Sequence, residues 1–176
     1  ICLLFGRNPG RMERVSGGEP LETACTSPAR LTVYDAPLDP DSITPQMREN
    51  LDDELTEVKS ENAIDRITSQ ANPRTLERVP AGARFRVRFI LDVLCEEDKA
   101  LTGRLVEAMR LLEDDALGGG GSRGSGRVQF SNLTLKWRSR NFYANGAPEQ
   151  ELLSGGDLDA LQALVREEGF AAKLSE

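Results

Sequence analysis

The run Leu117-Gly118-Gly119-Gly120-Gly121-Ser122-Arg123-Gly124-Ser125-Gly126-Arg127-Val128 constrains this chain more than any other segment. Six of the nine residues from Gly118 to Gly126 are glycine. Without a Cβ, such a backbone reaches positive φ and comes close to a partner. Successive exposed N–H groups in that conformation form a concavity suited to an anion. Arg123 and Arg127 add positive charge at the same place. Gly118, Gly119, Gly120, Gly121, Ser122, Arg123, Gly124 and Arg127 are therefore the candidate contacts. The competing reading is a flexible Gly/Ser linker. The arginines, and the bracketing of the run by an amphipathic helix and an arginine-bearing strand, argue against it. A G-x-G-x-x-G can be read at Gly119, Gly121 and Gly124, but a dinucleotide site needs a strand before and a helix after; here the order is reversed. A phosphate-binding loop of the G-K-[ST] type needs a lysine after its last glycine, and Gly126 is followed by Arg127-Val128. A polymer backbone fits better than a nucleotide.

Net charge is −7 over 176 residues, so the chain is not uniformly basic. The distribution matters more than the sum. Arg66, Arg74, Arg78, Arg84, Arg86 and Arg88 fall in a stretch whose single acid is Glu77. Between Ser122 and Ala144 stand Arg123, Arg127, Lys136, Arg138 and Arg140, with no acid. Two basic segments on an acidic body suggest a local phosphate-contacting face. Ordinary solvated charge on strands is the alternative. The sequence has no histidine, which removes Ser-His and Cys-His pairs, imidazole acid–base chemistry and histidine metal ligands. Cys2, Cys25 and Cys95 are too few and odd in number for a disulfide framework, and fit a reducing cytoplasm. No apolar stretch is long enough to span a membrane.

Along the chain, Ala29–Ala36 alternates as a strand, ended by Pro37 and Pro40. Residues 41–54 are acidic, with room for a short helix. Residues 57–80 form a long polar excursion broken at Asn72-Pro73; long loops in compact domains are usually functional or disordered. Arg84–Phe89 alternates arginines with apolar residues, predicting a strand that continues to Leu94. Glu97–Leu117 reads as a helix buried through Leu101, Leu105, Ala108, Met109, Leu112 and Ala116, stopped by Gly118. Val128–Trp137 reads as a strand, with a bulge near Ser131–Asn132 where the apolar parity switches. Residues 146–156 read as a linker, and Asp157 as the N-cap of a last helix. The order strand, excursion, strand, helix, glycine loop, strand predicts an α+β fold: the last four elements of a ferredoxin-like βαββαβ unit. Its antiparallel sheet would carry helices on one face, and its first strand and helix are expected upstream of Ile1.

Four blocks then carry a resemblance: Glu57–Thr68, Ala71–Arg74, Leu76–Gly82, and Leu111–Gly118 running on through Gly121-Ser122-Arg123-Gly124. The strand Ala29–Ala36 fits the same pattern. In this order and spacing the chain resembles, over about residues 1–137, the Csm-type backbone subunit of type III CRISPR effector complexes. The resemblance implies a repeat-associated (RAMP) protein with a modified RNA-recognition fold. It implies copies of the chain, or paralogous RAMP subunits, stacked along a CRISPR RNA with target RNA and other effector-complex subunits, and no membrane. The glycine-rich loop would touch the RNA backbone. Residues 57–80 would form a thumb, a projecting hairpin with Arg66, Ile67, Arg74 and Arg78, that kinks the guide–target duplex at six-nucleotide intervals. Domains follow as 1–28, a loop and the end of a zinc-binding segment; 29–145, the RNA-recognition-like domain; and 146–176, linker and C-terminal helix.

The family cuts target RNA with a divalent metal, Mg or Mn, and an aspartate in the N-terminal half. That half is not represented in this chain, so no catalytic residue is carried over. Asp35 reads as a strand terminator, Asp65 as a residue holding thumb geometry, and Asp92 gains no catalytic role. Cys2-Leu3-Leu4-Phe5-Gly6 matches the end of a family segment that follows a zinc cluster. Cys2 is either the last ligand of that structural zinc, with its partners upstream, or a buried free thiol; Cys25 and Cys95 read as packing residues. Three alternatives stand beside the interference reading: a filament subunit without cleavage chemistry, a processing endoribonuclease (disfavoured without histidine), and a ligand-sensing ferredoxin-like module.

Overall fold

A computed structural model of the protein describes residues 2–5, 28–49, 51 and 55–174, with the side chains of Cys2 and Leu3 left aside. The elements are α1 (Cys2–Phe5), β1 (Leu31–Val33), α2 (Pro45–Arg48), β2 (Glu57–Ile64), β3 (Ala71–Arg78), β4 (Phe89–Leu91), α3 (Leu101–Asp114), β5 (Leu133–Trp137), α4 (Arg140–Asn145), β6 (Gln150–Gly156), α5 (Leu158–Arg166) and α6 (Phe170–Lys173). Short 3₁₀ turns occupy Pro40–Ser42, Glu96–Ala100 and Gly121–Arg123. This is an α+β protein. Its described strands pair as three two-stranded sheets, β1 with β4, β2 with β3 and β5 with β6, rather than as one continuous sheet. The chain divides into two compact units, residues 1–32 with 90–176, and residues 33–89.

In the larger unit, α3 packs against α5. The buried line on α3 is Thr102, Val106 and Met109, and Leu158 and Leu161 of α5, Phe170 of α6 and Leu174 join the core. The predicted stripe of Leu101, Leu105, Ala108 and Leu112 is only half-buried. Of the buried line Thr102, Val106 and Met109, the expected stripe held only Met109. Gly103 faces α5, where a Cβ would make ordinary contact with Val165 Cγ1 at 3.6 Å. Asp157 caps α5 as expected, accepting the Ala160 amide at 2.8 Å.

Several boundaries move. The helix stops at Asp114, its last carbonyls met by the Asp115 amide on Leu111 O at 3.0 Å, before the expected Leu117. The strand begins at Leu133, not Val128. Its irregularity takes the form of Asn132 at φ 55° followed by register shifts between Leu133 and Lys136. The segment read as a linker contains β6, which pairs antiparallel with β5; the glycines that suggested a linker lie at its ends, Gly146 after α4 and Gly155–Gly156 at the strand terminus.

In the smaller unit, β2 and β3 make a regular eight-pair antiparallel hairpin, from Glu57 opposite Arg78 to Ile64 opposite Ala71. The polar excursion therefore has strand structure that its Thr, Ser, Asn and Gln content hid. Pro73 is accommodated because a two-stranded ribbon leaves an edge where no N–H is needed. Leu38 bridges Phe85, and Ser42 Oγ accepts the Arg84 amide at 2.9 Å. The predicted long strand at 84–94 is regular only over Phe89–Leu91. Phe85 and Val87 are exposed along with Arg84, Arg86 and Arg88, so the alternation does not separate a buried face from a solvated one.

Candidate nucleic-acid interface

The glycine run folds as a closed loop on the end of α3. The Leu117 amide donates to Gly126 O at 2.8 Å and pins its two stems together. Inside, Arg123 and Ser125 donate to Gly120 O at 2.9 and 3.3 Å, and Gly124 donates to Gly121 O at 3.0 Å. Gly118, Gly120, Gly124 and Gly126 all take positive φ, between 78° and 84°. The glycines are not equivalent. A Cβ on Gly126 would collide with the Leu117 carbonyl oxygen and lie 3.1 Å from the Leu117 amide nitrogen. A Cβ on Gly121 would lie 2.9 Å from Ala116 Cβ, whereas Gly119 faces open space.

Residues 118–124 are exposed. Among the described residues, the amides of Gly118, Gly119, Gly120, Gly121 and Ser122 donate to no protein acceptor. Five successive unsatisfied, solvated donors in a loop with recurring positive φ are the raw material of an anion nest. Arg127 stands exposed just beyond the loop. Downstream, the Phe130 amide donates to Glu113 Oε1 at 2.7 Å. Glu113 is itself paired with Arg110 at 3.7 Å, and Arg110 reaches Asp159 of α5.

The hairpin in the smaller unit ends in a turn built by Asp65. One carboxylate oxygen accepts the amides of Ile67 and Thr68, both at 2.8 Å, and Ser69 closes the turn at φ 57°. Those two backbone bonds hold the Asp65 carboxyl below the usual carboxylate range. The turn thus gives Asp65 the geometric role expected of it, and leaves Ile67 94% exposed at the tip. Arg66 occupies the same turn. Arg74 and Arg78 are tied across the hairpin, to Glu61 at 2.8 Å and Glu57 at 2.6 Å. Each still exposes nearly half of its side chain.

The second basic segment is less available than its composition suggests. Glu149 binds Lys136 at 2.6 Å and Arg138 at 2.9 Å; these bonds hold Glu149 below its usual range and raise Lys136. The sequence could not place Glu149 there because the β5–β6 pairing is what brings it across. Arg88 lies over the Tyr34 ring at 5.1 Å. The site residues predicted on the glycine loop and those predicted on the hairpin belong to different units, so each set stands as its own surface.

A buried pair escaped the sequence reading. Arg30 donates to Asp98 Oδ2 at 2.8 Å, with both side chains under 10% exposed. Asp98 also accepts the Leu94 and Cys95 amides. Burial pushes its carboxyl up, but the Arg30 and backbone bonds outweigh this and hold it below the usual range. Each residue stood in view, an arginine before an apolar strand and an acid in the run 96–98, but nothing in the sequence linked the two across 68 positions. Cys95 is exposed rather than a packing residue, because it sits at the mouth of this 3₁₀ turn; its hydrogen bond to Glu97 and its partial desolvation raise its thiol. The Cys2 side chain and Cys25 lie outside the described residues. Among those described, no three His, Cys, Asp or Glu side chains gather as a metal ion requires. No described helix is long and apolar enough to cross a membrane.

Two curated relatives, each named CRISPR system Cms endoribonuclease Csm3, come from Methanocaldococcus jannaschii and Methanothermobacter thermautotrophicus. The first is 35% identical over 89 residues, 51% of this chain and 35% of the relative. The second is 35% identical over 83 residues, 47% of this chain and 32% of the relative. The chain thus covers about a third of the length of these relatives. The profile of the RAMP superfamily matches residues 1–129, a span that holds the hairpin, α3 and the whole glycine loop. The chain belongs to the RAMP superfamily, and about half of it is similar to Csm3 proteins.

Proposed function

We propose that this chain is the CRISPR RNA-binding part of a backbone subunit in a type III interference complex. The observation that carries the reading is the closed glycine loop with five unsatisfied amides from Gly118 to Ser122. Amide donors recognise phosphate oxygens without reading bases, as a protein that must accept any guide sequence requires. Arg123 and Arg127 add charge to that contact. The order of β1, β4, α3 and β5 supports a ferredoxin-like, modified RNA-recognition arrangement. The β2–β3 hairpin serves as the thumb, with Ile67 as an apolar tip of the kind that separates stacked bases. Arg66, Arg74 and Arg78 contact the backbone around it and help to kink the guide–target duplex at six-nucleotide intervals. Copies of the subunit or its paralogues line up along the guide, in the cytoplasm, with target RNA and other subunits of the complex. Metal-dependent cleavage of target RNA belongs to the intact protein, and no residue of this chain is assigned to that step.

Nuclease protection of RNA co-purified with the native complex tests the reading. The expected result is a guide-length RNA and periodic, divalent-metal-dependent cuts in a matching target. Guide RNA without cuts would favour a scaffold that lacks cleavage chemistry. Absence of RNA would overturn the reading and favour a ligand-sensing module.

A further inference from the structure

We infer that Glu113 is a positioning residue for the RNA contact, an acid that strengthens binding of a polyanion by fixing the loop that binds it. The inference rests on the RNA-binding reading of the glycine loop and assigns a role to a residue outside it.

The loop has two fastenings. The inner one is Leu117 N to Gly126 O at 2.8 Å. The outer one is the Phe130 amide donated to Glu113 Oε1 at 2.7 Å. Between Gly126 and Leu133 the chain is in no sheet, so Glu113 supplies the acceptor that a ladder partner would otherwise provide. Its side chain is 18% exposed, and its second oxygen faces Arg110 Nη1 at 3.7 Å. Arg110 in turn holds Asp159. A relay from α5 through Arg110 and Glu113 therefore fixes where the chain leaves the loop. A loop of glycines has more conformational freedom to lose on binding than any other composition, so holding both stems lowers the ordering cost of binding.

Electrostatics alone gives the opposite sign. A carboxylate close to a phosphate-binding loop repels RNA, and removing it should tighten binding. Positioning predicts that removing it weakens binding. The two accounts separate in one experiment.

The test measures the affinity of the complete protein for a labelled single-stranded oligouridylate, across a salt series, for wild type, Glu113→Ala, Glu113→Met and Glu113→Gln. Loss of the acceptor in Glu113→Ala and Glu113→Met is expected to weaken binding about tenfold, the equivalent of one charge-assisted hydrogen bond, with an unchanged salt slope because no phosphate contact is lost. Glu113→Gln keeps an acceptor oxygen and sheds the charge, so it is expected to bind at least as tightly as wild type. The methionine variant keeps the bulk of the side chain, so it reports if the alanine variant does not fold. Unchanged or tighter binding by Glu113→Met, or equal weakening by Glu113→Gln, overturns the inference. Failure of wild type itself to bind the oligouridylate overturns the RNA-binding reading instead.

Discussion

Gly126→Ala isolates what the loop closure contributes. Gly126 sits at φ 83°, where a side chain costs about 1–2 kcal/mol. Its added Cβ would also run into the Leu117 carbonyl oxygen. The two stems must then separate, which loses the Leu117–Gly126 hydrogen bond of 2.8 Å, worth about 1 kcal/mol net. The combined penalty on the closed loop is about 2–3 kcal/mol. Gly119→Ala is the control. A Cβ there meets nothing within 4 Å and Gly119 is not among the positive-φ glycines. The substitution should leave the closed loop intact or stabilise it by about 0.4–1 kcal/mol through the unfolded chain.

Hydrogen exchange at the Leu117 amide reads the closure directly, because that amide is the closing donor. In Gly126→Ala its protection should fall at least about thirtyfold, the equilibrium equivalent of 2 kcal/mol. In Gly119→Ala it should hold or rise. RNA affinity should follow the same order, with Gly126→Ala the weaker binder although its own amide makes no contact in the proposed site. Equal protection of Leu117 in the two variants would refute the reasoning, since it would mean that the stems are not held by this bond.

Other outcomes follow from the same geometry. Asp98→Asn should lower the melting temperature far more than loss of any exposed pair, because Arg30 would stay buried without its counter-charge; a change within the range of the Arg74→Ala variant would contradict it. Wild-type stability should carry the Asp98 contribution in full above the ordinary aspartate pKa and lose it as pH falls through the lowered folded value, which acid-titrated thermal melts will show. The hairpin tip should behave the same way: exchange at the Ile67 and Thr68 amides should stay slow down through the usual aspartate range and rise only when Asp65 protonates. Arg74→Ala should change stability by less than about 1 kcal/mol, as for exposed ion pairs, measured by urea denaturation. Arg127→Ala should reduce the salt slope of single-stranded RNA binding by about 0.7; an unchanged slope would remove Arg127 from the phosphate contact.

The glycine loop was legible in the sequence because its message is local. Glycines at 118, 120, 124 and 126 are needed for backbone angles that depend on no distant residue. Asp65 was legible for the same reason, since its acceptors and donors lie within three positions. Several of the features that sequence reasoning missed are non-local. Arg30 and Asp98 lie 68 positions apart, and neither residue type announces a partner at that separation. Glu149 silences part of a basic stretch only because β6 returns beside β5. The buried face of α3 includes the polar Thr102, which an apolar count favouring the leucines passes over.

A nest of glycine amides costs the most to order; residues 118–126 carry three turn bonds and one stem bond, and a further restraint acts from outside. The restraint is supplied from outside by groups whose own sequence signal is ordinary: an acid in the last turn of a helix, and an arginine three residues earlier on the same helix, tied to α5. An arginine that reaches both Glu113 and Asp159 couples the loop to the core formed by α3 and α5. The affinity of the loop should therefore respond to changes in that core, such as Leu161→Ala, that touch no RNA. A loop held only by its own glycines would show no such response, and RNA binding by Leu161→Ala, measured well below its melting temperature, distinguishes the two.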